Sequence, residues 1–166
     1  MSLALAGCGG GSGTTTKATA GATGTTGPAA AARANPAYAT YRGQLAAAVK
    51  PWVAATRRYS VAIRAPHASA SAQAAATALF AAANNTFANQ LAALNPPSVA
   101  QSPQNLLIVA VRALGPPLYE LRRAALDSDA AGAADAGKRF HSGVQGVSSA
   151  FRALEAQVGE VPSRLG

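Results

Sequence analysis

The chain has one cysteine, one methionine, one tryptophan and two histidines in 166 residues, and each shortage removes a class of chemistry. A single thiol makes no intramolecular disulfide and no thiolate cage for zinc or an iron–sulfur cluster. Met1 alone supplies no thioether copper site, and no Cys-x-x-Cys-His stretch exists for covalent haem. Neither His67 nor His141 has a glutamate three residues before it, so the Glu-x-x-His pairs of a ferritin-like site are missing. No metal or other cofactor is implied.

Carboxylates are equally scarce, 6 Asp and Glu against 14 Lys and Arg, which leaves little for acid–base catalysis. Glu120 reads as the partner of Arg123 three residues along the same helix. Asp127 and Asp129 read as helix caps. Ser142, Ser148 and Ser149 lie near His141 in sequence, but adjacency along a helix is not triad geometry, and no Gly-x-Ser-x-Gly turn occurs. The sequence therefore points away from an enzyme.

Alanine is what the chain has instead. The hydrophobic fraction is 49% but the aromatic fraction only 5%. Alanine favours helix strongly while adding little apolar area per residue. Core energy must then come from a few large side chains, among them Trp52, Phe80, Phe87, Phe140 and Phe151, with alanine letting helices approach closely.

The formal charge of +8 calls for an anionic partner. The basic residues are scattered: Arg57, Arg58 and Arg64, then Arg112, Arg122 and Arg123, then Lys138, Arg139 and Arg152. A nucleic-acid binder concentrates its charge and interleaves aromatics or groove-reading groups. Nucleic acid therefore ranks below an anionic lipid or an acidic envelope polymer as the partner.

Helical periodicity begins at Asn35-Pro36, an N-cap followed by proline at the first helical position. Tyr38, Tyr41, Leu45, Val49, Trp52, Thr56, Tyr59 and Ile63 then recur at three- and four-residue steps. Pro51 should kink this helix and Pro66 ends it. A second segment, about 69–94, presents Ala76, Phe80, Ala83, Phe87, Leu91 and Leu94, and Asn95-Pro96-Pro97 stops it. Asn84-Asn85-Thr86 within it matches a glycosylation sequon, incidental at mid-helix.

Ser102-Pro103 reads as the start of a third helix. Its face (Leu107, Val111, Leu114, Leu118, Leu121, Ala125) continues through Gly115-Pro116-Pro117, which predicts a bend there and not a reversal. A last helix follows Asp127-Ser128-Asp129, with its start movable to Asp135 by early glycines. It carries the seam Phe140, Val144, Val147, Phe151, Leu154, Val158 and Val161. Four amphipathic helices on short connections predict an all-α, antiparallel four-helix bundle over residues 35–162. Proline breaks in two helices predict an apolar groove between them, lined by Tyr41, Trp52, Tyr59 and Leu118.

Leu5-Ala6-Gly7-Cys8 resembles the lipobox of bacterial lipoproteins, in which the cysteine is acylated and the signal peptide is cut just before it. Residues 1–7 then form the end of a signal peptide, and since they include no Lys or Arg and are too short for an export signal, the reading expects further hydrophobic residues upstream. Residues 8–34, nearly all Gly, Ser, Thr and Ala, read as a disordered tether of about 30 Å reach. The stretch Leu91 to Pro97, followed by a Leu-rich helix, is similar to uncharacterised helical-bundle lipoproteins of high-GC bacteria. That resemblance implies a bundle held at the extracytoplasmic face of the cell membrane by a lipid on Cys8, acting as a binding or interaction module. The rival expectation is a cytoplasmic Ala-rich amphipathic protein that coats an apolar surface, as phasins do.

Overall fold

The computed structural model describes residues 35–161. Cys8 and the tether read at 8–34 lie outside the described residues. Five helical segments follow one another: α1 (Pro36–Arg64), α2 (Ala70–Ala93), α3 (Ser98–Arg112), α4 (Gly115–Asp127) and α5 (Ala130–Val158). No strand occurs among the described residues.

The third and fourth segments are one helix interrupted by proline. Arg112 and Ala113 face Pro116 and Pro117 four residues on, and proline has no N–H to give their carbonyls. Yet Ala113 and Leu114 keep right-handed helical dihedrals, and Leu118 N–H reaches the Leu114 carbonyl at 3.2 Å. Both halves pack on the same neighbours, α2 and α5, so the chain continues in one direction. The architecture is therefore an antiparallel four-helix bundle whose third member is broken.

Local chemistry sets most helix ends. The Asn35 carbonyl takes the Tyr38 and Ala39 N–H groups, each at 3.1 Å, and Pro36 opens α1 where an N–H is dispensable. Ser69 Oγ accepts from Ala72 N at 3.2 Å to start α2. At the tightest reversal Ser128 adopts the left-handed region (φ 57°), and Asp129 N–H closes on the Ala124 carbonyl at 2.9 Å. Asp129 Oδ1 then caps α5 by accepting from Gly132 N at 2.9 Å.

Three readings need correction. The third helix starts at Ser98, a turn before Ser102-Pro103. The second proline of Pro96-Pro97 serves as its N-cap, and the added turn buries Ala100 completely. Pro103 thus sits inside α3. The last helix starts at Ala130, directly after the expected Asp127-Ser128-Asp129 caps and without slipping to Asp135, because the Asp129 cap outweighs the cost of the early glycines. Glu120 pairs across to Arg139 of α5 and not with Arg123, which reaches Asp127 at 3.3 Å instead. Asp127 is thereby an ion-pair member and not a cap.

The core is a continuous apolar cluster. Leu45, Val49, Leu91, Leu107, Val111, Leu114, Leu118, Leu154 and Val158 are fully enclosed. The aromatics join it as a stack running between helices: Trp52 on Phe87 with centroids 5.0 Å apart, Tyr59 on Phe80 at 5.0 Å, and Phe140 edge-on to Tyr59 at 5.9 Å. On the opposite side Gly143 admits Leu114 so closely that a Cβ there would stand 2.6 Å from a Leu114 methyl.

Two buried amides tie this apolar core together. Asn84, wholly enclosed in α2, accepts from Trp52 Nε1 of α1 at 3.2 Å and donates from Nδ2 to the Val111 carbonyl of α3 at 2.8 Å. An indole N–H only donates and a carbonyl only accepts, so one asparagine amide is the matching piece. Gln104 of α3 does the same at the other end. It accepts from Tyr41 Oη at 2.7 Å and donates to the Leu91 carbonyl at 3.0 Å.

Burial of Asn84 also removes Asn84-Asn85-Thr86 as a surface modification site. Asn84→Leu keeps the approximate volume but leaves the Trp52 N–H and the Val111 carbonyl without these partners. It should lower stability by about 2–4 kcal/mol, read as a shift in urea midpoint, while Asn85→Ala on the exposed neighbour changes it by less than about 0.5 kcal/mol.

Candidate functional site

The bundle is closed on three sides and open on the fourth. α1 packs along α2, α2 along α3 and α4, and these along α5, whereas the α1 and α5 backbones do not close on each other in the same way. At one end of this seam the Arg42 guanidinium donates to the Val158 carbonyl at 2.6 Å. A cation at a helix C-terminus is favourable both as donor and against the helix dipole. Toward the other end the seam widens into a cleft of about 450 Å³, within the range of small-molecule sites.

The cleft is built from two helical stripes. Along α1, Trp52, Val53, Thr56, Arg57, Tyr59, Ser60, Ile63 and Arg64 line it, and α5 contributes Phe140, His141, Val144, Val147 and Ser148. Trp52, Tyr59, Val147 and the α2 residue Phe80 make a buried aromatic and aliphatic floor. Ile63 belongs to the apolar seam of α1 but is 40% exposed, because the seam here runs beside a gap and not a neighbouring helix. Arg57 and Arg64, seven residues apart on the same face, are exposed at the rim. Neither forms an ion pair among the described residues, and no carboxylate lines the cleft.

The four residues assigned to a groove from sequence divide in two. Trp52 and Tyr59 do line the cleft. Tyr41 and Leu118, 2% and 0% exposed, are core residues away from it. The expected wall was the broken third helix, but its apolar face is consumed by α2 and α5, so the opening falls between α1 and α5. Sequence reasoning missed the α5 wall because Phe140 and Val144 look like ordinary seam positions. The pairing of Arg57 with Arg64 was available from their seven-residue spacing.

His67 lies in the turn after α1 with φ 64° and is exposed. His141 sits at the cleft, its Nε2 3.2 Å from Gln145 Nε2. No group of three or more His, Cys, Asp or Glu side chains that could hold a metal occurs among the described residues. No described helix is long and apolar enough to cross a membrane. Compared with protein-family models, curated proteins and solved structures, the chain matches none.

Burial pushes the Tyr41 phenol up to about 12 from its ordinary 10.0. It raises Tyr59 as well, with a hydrogen-bonding contact to Thr77 working against it. A folded state that holds these protons more tightly than the unfolded chain keeps its full contribution below about pH 10 and loses it as the pH rises toward 12. Alkaline denaturation should therefore set in above about pH 10. Tyr41→Phe should flatten that slope while lowering stability near neutrality by roughly 1–2 kcal/mol through the loss of the Gln104 bond. Urea titrations at a series of pH values measure both effects.

Proposed function

We propose that this chain is a non-enzymatic cell-envelope lipoprotein, anchored by acylation of Cys8 at the extracytoplasmic face of the membrane, whose helical bundle binds an anionic lipid or envelope polymer. The observation that carries the binding role is unspent positive charge. Arg123, Lys138 and Arg139 have acidic partners. Lys50, Arg57, Arg58, Arg64, Arg112, Arg122 and Arg152 are exposed without an ion pair among the described residues. Charges without an acidic partner in the fold remain available to a partner of opposite sign.

The anchor rests on the lipobox-like Leu5-Ala6-Gly7-Cys8 and on the Gly/Thr/Ala-rich composition that follows it. An acylated cysteine carrying two chains holds a protein firmly without a membrane-spanning helix. A coat on an apolar surface needs a broad apolar face left unused. Most of the helical seams here are turned inward, and the exposed large apolar residues are divided among four segments: Val61 and Ile63 on α1, Leu79 on α2, Val99, Leu106 and Val109 on α3, Tyr119 and Leu126 on α4. That favours the envelope reading over the phasin-like one.

Two measurements test it. Metabolic labelling with a fatty-acid analogue should mark the protein and should be lost in Cys8→Ala, whereas label that persists in that variant contradicts the anchor. The unacylated Cys8→Ala chain should cosediment with phosphatidylglycerol vesicles at low ionic strength, release at high ionic strength, and ignore zwitterionic vesicles. Binding indifferent to salt removes the electrostatic partner.

A further inference from the structure

The cleft between α1 and α5 combines two properties that rarely meet on one surface. Its floor is aromatic and aliphatic, formed by Trp52, Tyr59, Phe80 and Val147. Its rim carries charge of one sign, from Arg57 and Arg64, with no lining carboxylate to neutralise it. A wholly apolar ligand leaves that rim unused, and a polar anion leaves the floor wet. From the level of Trp52 to the midpoint between Arg57 and Arg64 the cleft follows α1 for about 13 Å at 1.5 Å per residue, a length suited to one extended acyl chain of medium length. Arg57 and Arg64 stand about 10 Å apart along the axis, within reach of a common head group, and guanidinium forks match the oxygens of phosphate or carboxylate.

We propose that this cleft binds one molecule of a single-chain anionic amphiphile, its acyl chain along the Trp52–Phe80 floor and its phosphate or carboxylate head held between Arg57 and Arg64. The proposal rests on the reading of the bundle as a module for anionic partners and names the ligand for one site within it. The other hollow, between α1 and α2, has a largely alanine-lined wall and a single arginine, Arg58. The exposed Leu106 and Val109 lie on α3 and line neither hollow. Of these surfaces, the α1/α5 cleft combines a sheltered apolar path with paired positive charge.

Trp52 is the only tryptophan and part of the floor, so its fluorescence reports occupancy without a label. The Cys8→Ala chain, full length, is titrated with dodecyl phosphate and with dodecanol, both as monomers below any aggregation threshold. Dodecyl phosphate should give a saturable one-to-one change, and dodecanol should bind at least about tenfold more weakly for want of the charged contacts. The double variant Arg57→Gln with Arg64→Gln changes only exposed side chains and should lose about tenfold or more for dodecyl phosphate while leaving dodecanol as it was.

Val144→Phe, which fills the cleft from the α5 side, should weaken both ligands, with the circular dichroism melt confirming that each variant is folded. Arg123→Gln, which removes a charge paired with Asp127 on α4 and away from the cleft, should leave the affinity for both ligands unchanged. Equal affinity for alcohol and phosphate, an unchanged Arg57/Arg64 double variant, an equal loss in the Arg123 control, or no saturable change at all overturns the proposal. Unchanged salt-sensitive vesicle binding alongside any of these outcomes overturns the cleft assignment alone. Absence of vesicle binding by the Cys8→Ala chain with its arginines intact overturns the wider reading.

Discussion

Two buried side-chain amides, each lying close to a proline break, set the register of this bundle. The third helix breaks at Gly115-Pro116-Pro117 and the second ends at Pro96-Pro97. Close to each break a buried side-chain amide arrives from the neighbouring helix. Asn84 of α2 reaches Val111 in the last turn of α3, and Gln104 of α3 reaches Leu91 in the last turn of α2. The acceptor side of each amide is then satisfied from α1, by the Trp52 N–H and the Tyr41 O–H. Each side chain thus fixes three helices at one height. An alanine-rich interior, with few large residues to interlock, gains its register from these directional bonds.

The same arrangement explains where the molecule is open. α1 is held to α2 and α3 by the two amides and by stacked aromatics, while its link to α5 is the Arg42 bond to Val158 at one end and the Phe140 edge contact further along. From Trp52 to Arg64 the two backbones are not closed on each other, and the apolar stripe of α1 borders the cleft. Because Trp52 is fixed by Asn84 from behind, the floor of that gap is rigid before any ligand arrives, and a preformed floor spares the cost of ordering on binding. Arg57 and Arg64 add one-signed charge to its edge.

Much of the fold was legible in the sequence. The three- and four-residue spacing of large residues placed all four helical members. The unbroken face through Leu114 and Leu118 showed that Gly115-Pro116-Pro117 bends the chain without reversing it. What escaped were features that depend on which helix faces which. Asn84 and Gln104 look like ordinary polar positions in a helix until the partners across the core are known. Glu120 had an equally good local partner in Arg123, and only the approach of α5 decided for Arg139. The groove was half legible for the same reason. Trp52 and Tyr59 lay on the right face of the right helix, but Tyr41 and Leu118 were assigned to an opening that α2 and α5 fill. Seam periodicity reports that a face is apolar, not whether a neighbour covers it all the way along.

A polar framework on one side of α1 thus meets a cationic, apolar cleft on the other. The most direct test of this arrangement is a nitrogen–proton correlation spectrum of the isotope-labelled chain titrated with dodecyl phosphate. Backbone shifts should concentrate at residues 52–64 of α1 and 140–148 of α5, while the Trp52 indole N–H stays protected from solvent exchange by its bond to Asn84. Shifts spread over the exposed faces of α3 and α4, or an indole proton that exchanges freely, would contradict it.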